Sequence, residues 1–163
     1  MKVARTAKGA LETALLSLAW IAFCVPLVWV WSNAFASAEF DLRPTPLVAG
    51  AVLYAAGLWL FHRSHADLGT NWSITLEVRE EHRLVTEGVY RRIRHPMYSA
   101  LLLFALGQAV AVPNGIAGPS YLVVMALLVA LRIRPEERLM RETFGAHYDE
   151  YAVKTKRLVP GVW

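Results

Sequence analysis

Residues Thr13–Ala38 read TALLSLAWIAFCVPLVWVWSNAFASA, without a single Asp, Glu, Lys or Arg. Three more stretches share that property: Pro44–Phe61, Pro96–Val112 and Gly115–Leu131, the last two divided only by Pro113 and Asn114. Ionisable groups are costly in hydrocarbon, and a helix satisfies its own backbone there. Charge-free runs of roughly 17–25 residues therefore read as transmembrane helices. The expectation is an all-α integral membrane protein with about four transmembrane helices, over residues 13–38, 44–62, 96–112 and 115–132. A cytoplasmic loop and a C-terminal amphipathic helix complete one domain over residues 1–163.

The basic residues orient these helices. Three precede the first stretch, six lie between Arg63 and Arg94, seven follow Leu131, and Arg43 alone falls between the first two stretches. Sixteen of the seventeen Lys and Arg thus share one side, which the positive-inside bias makes cytoplasmic, both termini included. A composition 56% hydrophobic and 18% charged is too apolar for an ordinary soluble domain. The net charge of +4 is explained by topology and lipid headgroups, so no nucleic-acid partner is implied. Cys24 is the single cysteine, which excludes an internal disulfide. Lys2, Arg5 and Lys8 before a run long enough to span suggest a retained signal anchor.

Trp20, Trp29, Trp31 and Trp59 suit the headgroup level, and Pro26 suits a kink. Arg63–His95 reads as an ordered polar loop with a short helix. After Arg134, Pro135 suits a first helical position, with Glu136 and Glu137 complementing the helix dipole. Met140, Phe144, Tyr148 and Tyr151 would form one apolar stripe of an amphipathic helix lying on the membrane or capping the bundle.

Chemistry concentrates at two places of equal depth. Arg94-His95-Pro96-Met97-Tyr98 sits where the polar loop enters the third helix. Pro96 fits the first helical position, so first-turn N–H groups, His95 and Arg94 would offer an anion site. Arg132-Ile133-Arg134-Pro135-Glu136-Glu137 closes the fourth helix. A helix N-terminus for a carboxylate and a nearby Glu for an ammonium suit an amino-acid zwitterion. Tyr90 and Tyr98 would face a ring or a sulfonium. The competing reading of both places is helix-terminus electrostatics and headgroup contact.

The blocks His82-Arg83-Leu84-Val85-Thr86-Glu87-Gly88-Val89-Tyr90, Arg94–Tyr98, Glu136-Glu137 and Phe144-Gly145…Tyr148…Tyr151…Arg157…Pro160 resemble the isoprenylcysteine carboxyl methyltransferase family, whose wider relatives include phospholipid methyltransferases. Leu68-Gly69…Trp72-Ser73 extends the resemblance, which covers about residues 68–161. It implies a membrane methyltransferase using S-adenosyl-L-methionine, with S-adenosyl-L-homocysteine as product. Matched by position, His82, Arg83, Leu84 and Val85 would line the adenosine side and Tyr90 would pack on the cofactor. His95, Pro96, Met97 and Tyr98 would hold the methionine part, Glu136 would meet its amino group, and Arg132 would face the substrate. Gly88 is expected to permit a tight turn, and Glu137 to start a helix rather than bind a ligand.

The acceptor would be a lipophilic small molecule or a lipid arriving through the bilayer. A carboxylate, O-methylated in the isoprenylcysteine manner, needs no base. An amine, as in phospholipid N-methylation, would require His95 or a Glu to take a proton. A small thiol is the third option. Two readings of another class compete: a structural membrane subunit without catalysis, and a metal site at His62, His65 and Asp67. Haem is disfavoured because all five histidines lie at or beyond the helix ends.

Overall fold

A computed structural model describes residues 3–6, 10–69, 77–79 and 83–162. His82, Asn71 and the Trp72-Ser73 pair lie outside the described residues. Among the described residues five α-helices carry the fold: α1 Ala10–Trp31, α2 Pro44–Leu68, α3 Pro96–Ala111, α4 Ser120–Phe144 and α5 Ala146–Lys154. The helical fold class expected from the sequence holds. It is supplemented by a short antiparallel pair of strands, β1 Val3–Thr6 and β2 Glu77–Arg79.

Helix boundaries follow local chemistry, with four differences from the hydropathy pattern, one of them that α4 begins at Ser120 rather than near Gly115. α1 stops at Trp31, where the Ser32 hydroxyl donates to Val28 O at 2.6 Å and accepts from Ala34 N at 3.1 Å. α2 starts at Pro44, whose missing N–H costs nothing at a first position, and runs past Phe61 to Leu68. The last difference is the largest. Pro135 does not begin a separate helix, because α4 continues through it for 25 residues and breaks only at Gly145, where φ is +55°. Pro135 and Leu131, whose carbonyl loses its i+4 donor, both lie on the exposed face, where the defect disturbs no packed neighbour. The expected amphipathic stripe is therefore split, Met140 and Phe144 on α4 and Tyr148 and Tyr151 on α5.

Two kinds of packing hold the bundle. α2 meets α3 through a seam of small residues. A Cβ at Gly50 would stand 2.5 Å from Ala111 Cβ and 2.8 Å from Gly107 O, and one at Gly57 would stand 3.1 Å from Ala100 O. Lipid offers apolar side chains as much as a neighbouring helix does, so close backbone approach through small residues supplies the attraction. α1 instead meets α4 through an apolar cluster of mixed side-chain size, Leu15, Ala19 and Ala22 with Tyr121, Met125, Leu128 and Val129. The turn between α3 and α4 is pinned by buried Asn114, which donates to Phe35 O at 2.8 Å and accepts from Ile116 N and Ala117 N.

The outward faces are apolar: Trp20, Trp59, Val52 and Val123 are all more than 60% exposed. α1 from Glu12 and all of α2 are long and apolar enough to cross a membrane, while α3 is a shorter apolar helix of 16 residues. With such faces and such helices, the chain is a membrane protein.

The glycine seam yields a prediction. Gly50→Ala would force α2 away from α3 at a contact with no flexible side chain to yield, costing about 1–3 kcal/mol by overpacking. Ala56→Leu, on the exposed face of the same helix, is expected to be near neutral. Thermal unfolding of the detergent-solubilised protein should rank the two in that order; equal midpoints would refute the seam.

Candidate active site

The site is built around a carboxylate that water does not reach. Glu137, on α4, is 1% exposed. Arg157 Nε donates to both its oxygens at 3.1 and 3.2 Å, and Arg157 Nη2 donates to Oε2 at 3.0 Å. Arg94 Nε donates to Oε1, also at 3.0 Å. Burial pushes the Glu137 carboxyl up, but the neighbouring His95, Arg157 and Arg94 prevail and hold it well below the ordinary carboxylate range. The arginines are the better bonded, since His95 Nε2 stands 3.5 Å from Oε1. Glu137 was expected to start a helix; it is a buried anchor in the middle of one.

Arg94 is engaged rather than offered to a ligand. Besides Glu137, its Nη1 donates to Ala152 O at 2.9 Å and to Thr155 O, which fastens the end of α5. Backbone bonds complete the clip. Arg94 N donates to Lys156 O at 2.7 Å and His95 N to Arg157 O at 3.0 Å, while Ser99 Oγ reaches Leu158 O at 2.7 Å. The residues entering α3 are thereby held against the C-terminal segment, and Tyr151 Oη donates to Tyr90 O at 2.7 Å above them.

What remains facing the interior is the second acid and the start of α3. Glu136 is partly exposed, accepts from Tyr98 Oη at 2.7 Å and lies 3.7 Å from His95 Nδ1. His95 stacks on Tyr98, ring centroids 5.6 Å apart. No side chain caps α3, which has Pro96 at its first position, so its first-turn N–H groups offer partial positive charge. Tyr90 is buried, and burial, then Glu136, keeps its phenol well above its usual pKa and hence neutral. The turn before it depends on Gly88 at φ +59°: a Cβ there would strike the Asp67 carboxylate, which accepts from Val89 N at 2.9 Å and pairs with Arg63 at 2.9 Å. Gly88 thus has the turn role expected, and Asp67 is committed to that turn.

One cavity of about 680 Å³ collects nearly every residue singled out from the sequence: Arg83, Leu84, Val85, Tyr90, His95, Pro96, Met97, Tyr98, Arg132 and Glu136 all line it. Its other end lies among Leu16, Trp20, Tyr54, Phe104 and Met125, between the helices. The polar end offers a helix N-terminus to a carboxylate and Glu136 to an ammonium; the apolar end offers room for a hydrocarbon chain. One partner had no distinct sequence signal. Glu12, in the first turn of α1, accepts from Arg132 Nη2 at 2.9 Å with both side chains buried. In the sequence it is an ordinary acid at a helix start.

A family model described as the isoprenylcysteine carboxyl methyltransferase family matches residues 51–142. The chain belongs to that family. This member is 36% identical over 118 residues to protein-S-isoprenylcysteine O-methyltransferase B of Arabidopsis thaliana, an alignment covering 72% of the chain and 57% of the relative. With the Homo sapiens protein-S-isoprenylcysteine O-methyltransferase it shares 31% over 115 residues, covering 69% and 39%. The chain thus spans little more than half the length of the Arabidopsis relative. In fold it is similar to the eukaryotic intramembrane Ras methyltransferase, with a TM-score of 0.66 at 21% identity, covering 96% of this chain and 55% of that one.

Removing the central carboxylate should be severe. Glu137→Ala leaves Arg94, its side chain 9% exposed, and the partly exposed Arg157 without their carboxylate, a loss of about 3 kcal/mol, the low end for a broken buried pair. Because the folded carboxyl is held below its ordinary value of 4.5, its contribution is complete above that value and is lost as pH falls below it. The melting temperature of the wild type should therefore drop on acidification below about pH 5, and this acid limb should flatten in Glu137→Gln. An unchanged limb would remove Glu137 from the account.

Proposed function

We propose that this chain is an S-adenosyl-L-methionine-dependent methyltransferase that methylates a lipophilic carboxylate of the S-isoprenylcysteine type. The observation carrying this reading is the single cavity whose polar end suits an amino-acid zwitterion and whose apolar end opens among the helices. The residues present fit the cofactor. An uncapped α3 N-terminus suits its carboxylate, Glu136 its ammonium, and Arg83, Leu84, Val85 and Tyr90 its adenosine side, with His82 outside the described residues. When bound, it supplies a methyl group on a cationic sulfur.

The chain's contribution is to position, and to exclude water. Charge is dispersed on the way to transfer, so strong acid–base machinery adds little. Arg132 orients the acceptor carboxylate at the junction of the two ends. An amine acceptor would need a base, whereas Glu136 is engaged by Tyr98, Glu137 by two arginines, and His95 lies between the two acids, 3.7 and 3.5 Å away; this favours an anionic acceptor over phospholipid amines. The family relatives' names, protein-S-isoprenylcysteine O-methyltransferase, point the same way. By the bias of basic residues, both termini and the polar end face the cytoplasm.

Three measurements test the reading. Glu136→Ala and His95→Ala should each weaken S-adenosyl-L-homocysteine binding at least about tenfold, the loss expected for a charged hydrogen bond; unchanged affinity in folded protein would remove the cofactor assignment. Arg132→Lys should keep that affinity yet lose most transfer to a prenylcysteine, since an ammonium lacks the planar fork. Reporter fusions at either terminus should report cytoplasm and one near Asp41 the opposite side; an external C-terminus would overturn the topology.

A further inference from the structure

Glu12 lies outside the residues matched by the family model, 51–142. An acid in the first turn of a helix ordinarily faces water and complements the dipole. Glu12 is instead 8% exposed and receives Arg132 at 2.9 Å. Leu16 and Ala19, one and two turns further along α1, line the cavity together with Arg132. The guanidinium assigned to the acceptor therefore already holds a carboxylate from the chain itself. We propose that Glu12 is a positioning residue acting through Arg132: it fixes the guanidinium at the cavity wall and opposes the acceptor's negative charge before transfer. The inference rests on the carboxylate-acceptor reading above.

The argument is one of charge. An acceptor carboxylate at Arg132 brings a full negative charge beside Glu12, placing two buried anions on one cation. As the acceptor oxygen bonds to the methyl carbon, the electron pair of the breaking methyl–sulfur bond stays on sulfur and the acceptor becomes a neutral ester. Repulsion from Glu12 is therefore greatest in the bound ground state, smaller at the transition state and absent from the product. An interaction unfavourable mainly in the ground state raises KM and kcat together. Without Glu12, Arg132 would clasp the acceptor as a tight ion pair, and part of that attraction would be lost on reaching the transition state. Once the acceptor is a neutral ester, the Glu12–Arg132 pair leaves no uncompensated charge to retain it.

The test uses the full chain with S-adenosyl-L-methionine, an N-acylated S-prenylated cysteine as acceptor and the corresponding amide as an uncharged competitor. Glu12→Gln should lower KM for the carboxylate about tenfold and kcat about fivefold, the pattern of relieved ground-state strain. Inhibition by the amide should be unchanged, because no charge is involved. Should Glu12→Gln fail to bind S-adenosyl-L-homocysteine, and so be misfolded, Glu12→Asp retracts the carboxylate by one methylene and should shift both constants in the same direction by less. An unchanged or raised KM in a variant that binds S-adenosyl-L-homocysteine normally overturns the proposal, as does an amide affinity that moves in step with KM. A wild-type chain that transfers nothing to the carboxylate overturns the acceptor reading and this inference with it, a pattern distinct from an active wild type with an unresponsive variant.

Discussion

The half of this molecule that holds the polar end of the cavity depends on one buried carboxylate. Glu137 is nearly inaccessible to water, so an ionised form is tolerable only if cations and donors surround it. Arg157 comes from the C-terminal segment and Arg94 from the residues entering α3, so satisfying one side chain of α4 forces two distant stretches together. The polar end of the cavity inherits its place from that condition. Glu136 is the neighbour of Glu137 on the helix and so points elsewhere, toward Tyr98 and the start of α3. His95 lies between the two acids because its backbone is bonded to Arg157.

The two packing surfaces divide the remaining work. The glycine seam joins α2 to α3 with little room to slide, and α1 joins α4 through a cluster in which alanines of α1 meet larger side chains of α4. The cavity lies between these pairs. Its apolar end thus forms where helices meet by side chains of uneven size, and its polar end forms where the Glu137 network stops.

The helices and the grouping of Arg94–Tyr98 with Glu136 were legible because they rest on local rules: absence of charge, proline at helix starts, and shared depth. The continuity of α4 was not. Its buried face runs Met125, Leu128, Val129, Arg132, Ile133 and Glu137, an unbroken helical period. The later members are ionic, so a hydrophobic reading ends where the period does not, and Pro135 on the outer face appears to mark a start. In the sequence only the family resemblance separates Glu136 from Glu137, since adjacent acids otherwise differ only in which side of the helix they occupy. Glu12 was hidden for a related reason: its partner is 120 residues away, and a buried pair at such separation leaves no pattern along the chain.

The clip between residues 92–95 and 155–158 carries a consequence for biosynthesis. A chain emerges from the ribosome N-terminal end first, and the clip needs Lys156, Arg157 and Leu158 as partners. Every apolar helix has therefore been made before the segment that fastens the start of α3 exists. The nascent protein passes through an interval in which its helices are complete while Arg94 and Glu137 still await their last partners. Assembly of the site's polar end therefore waits on residues that follow all five of the described α-helices in the chain.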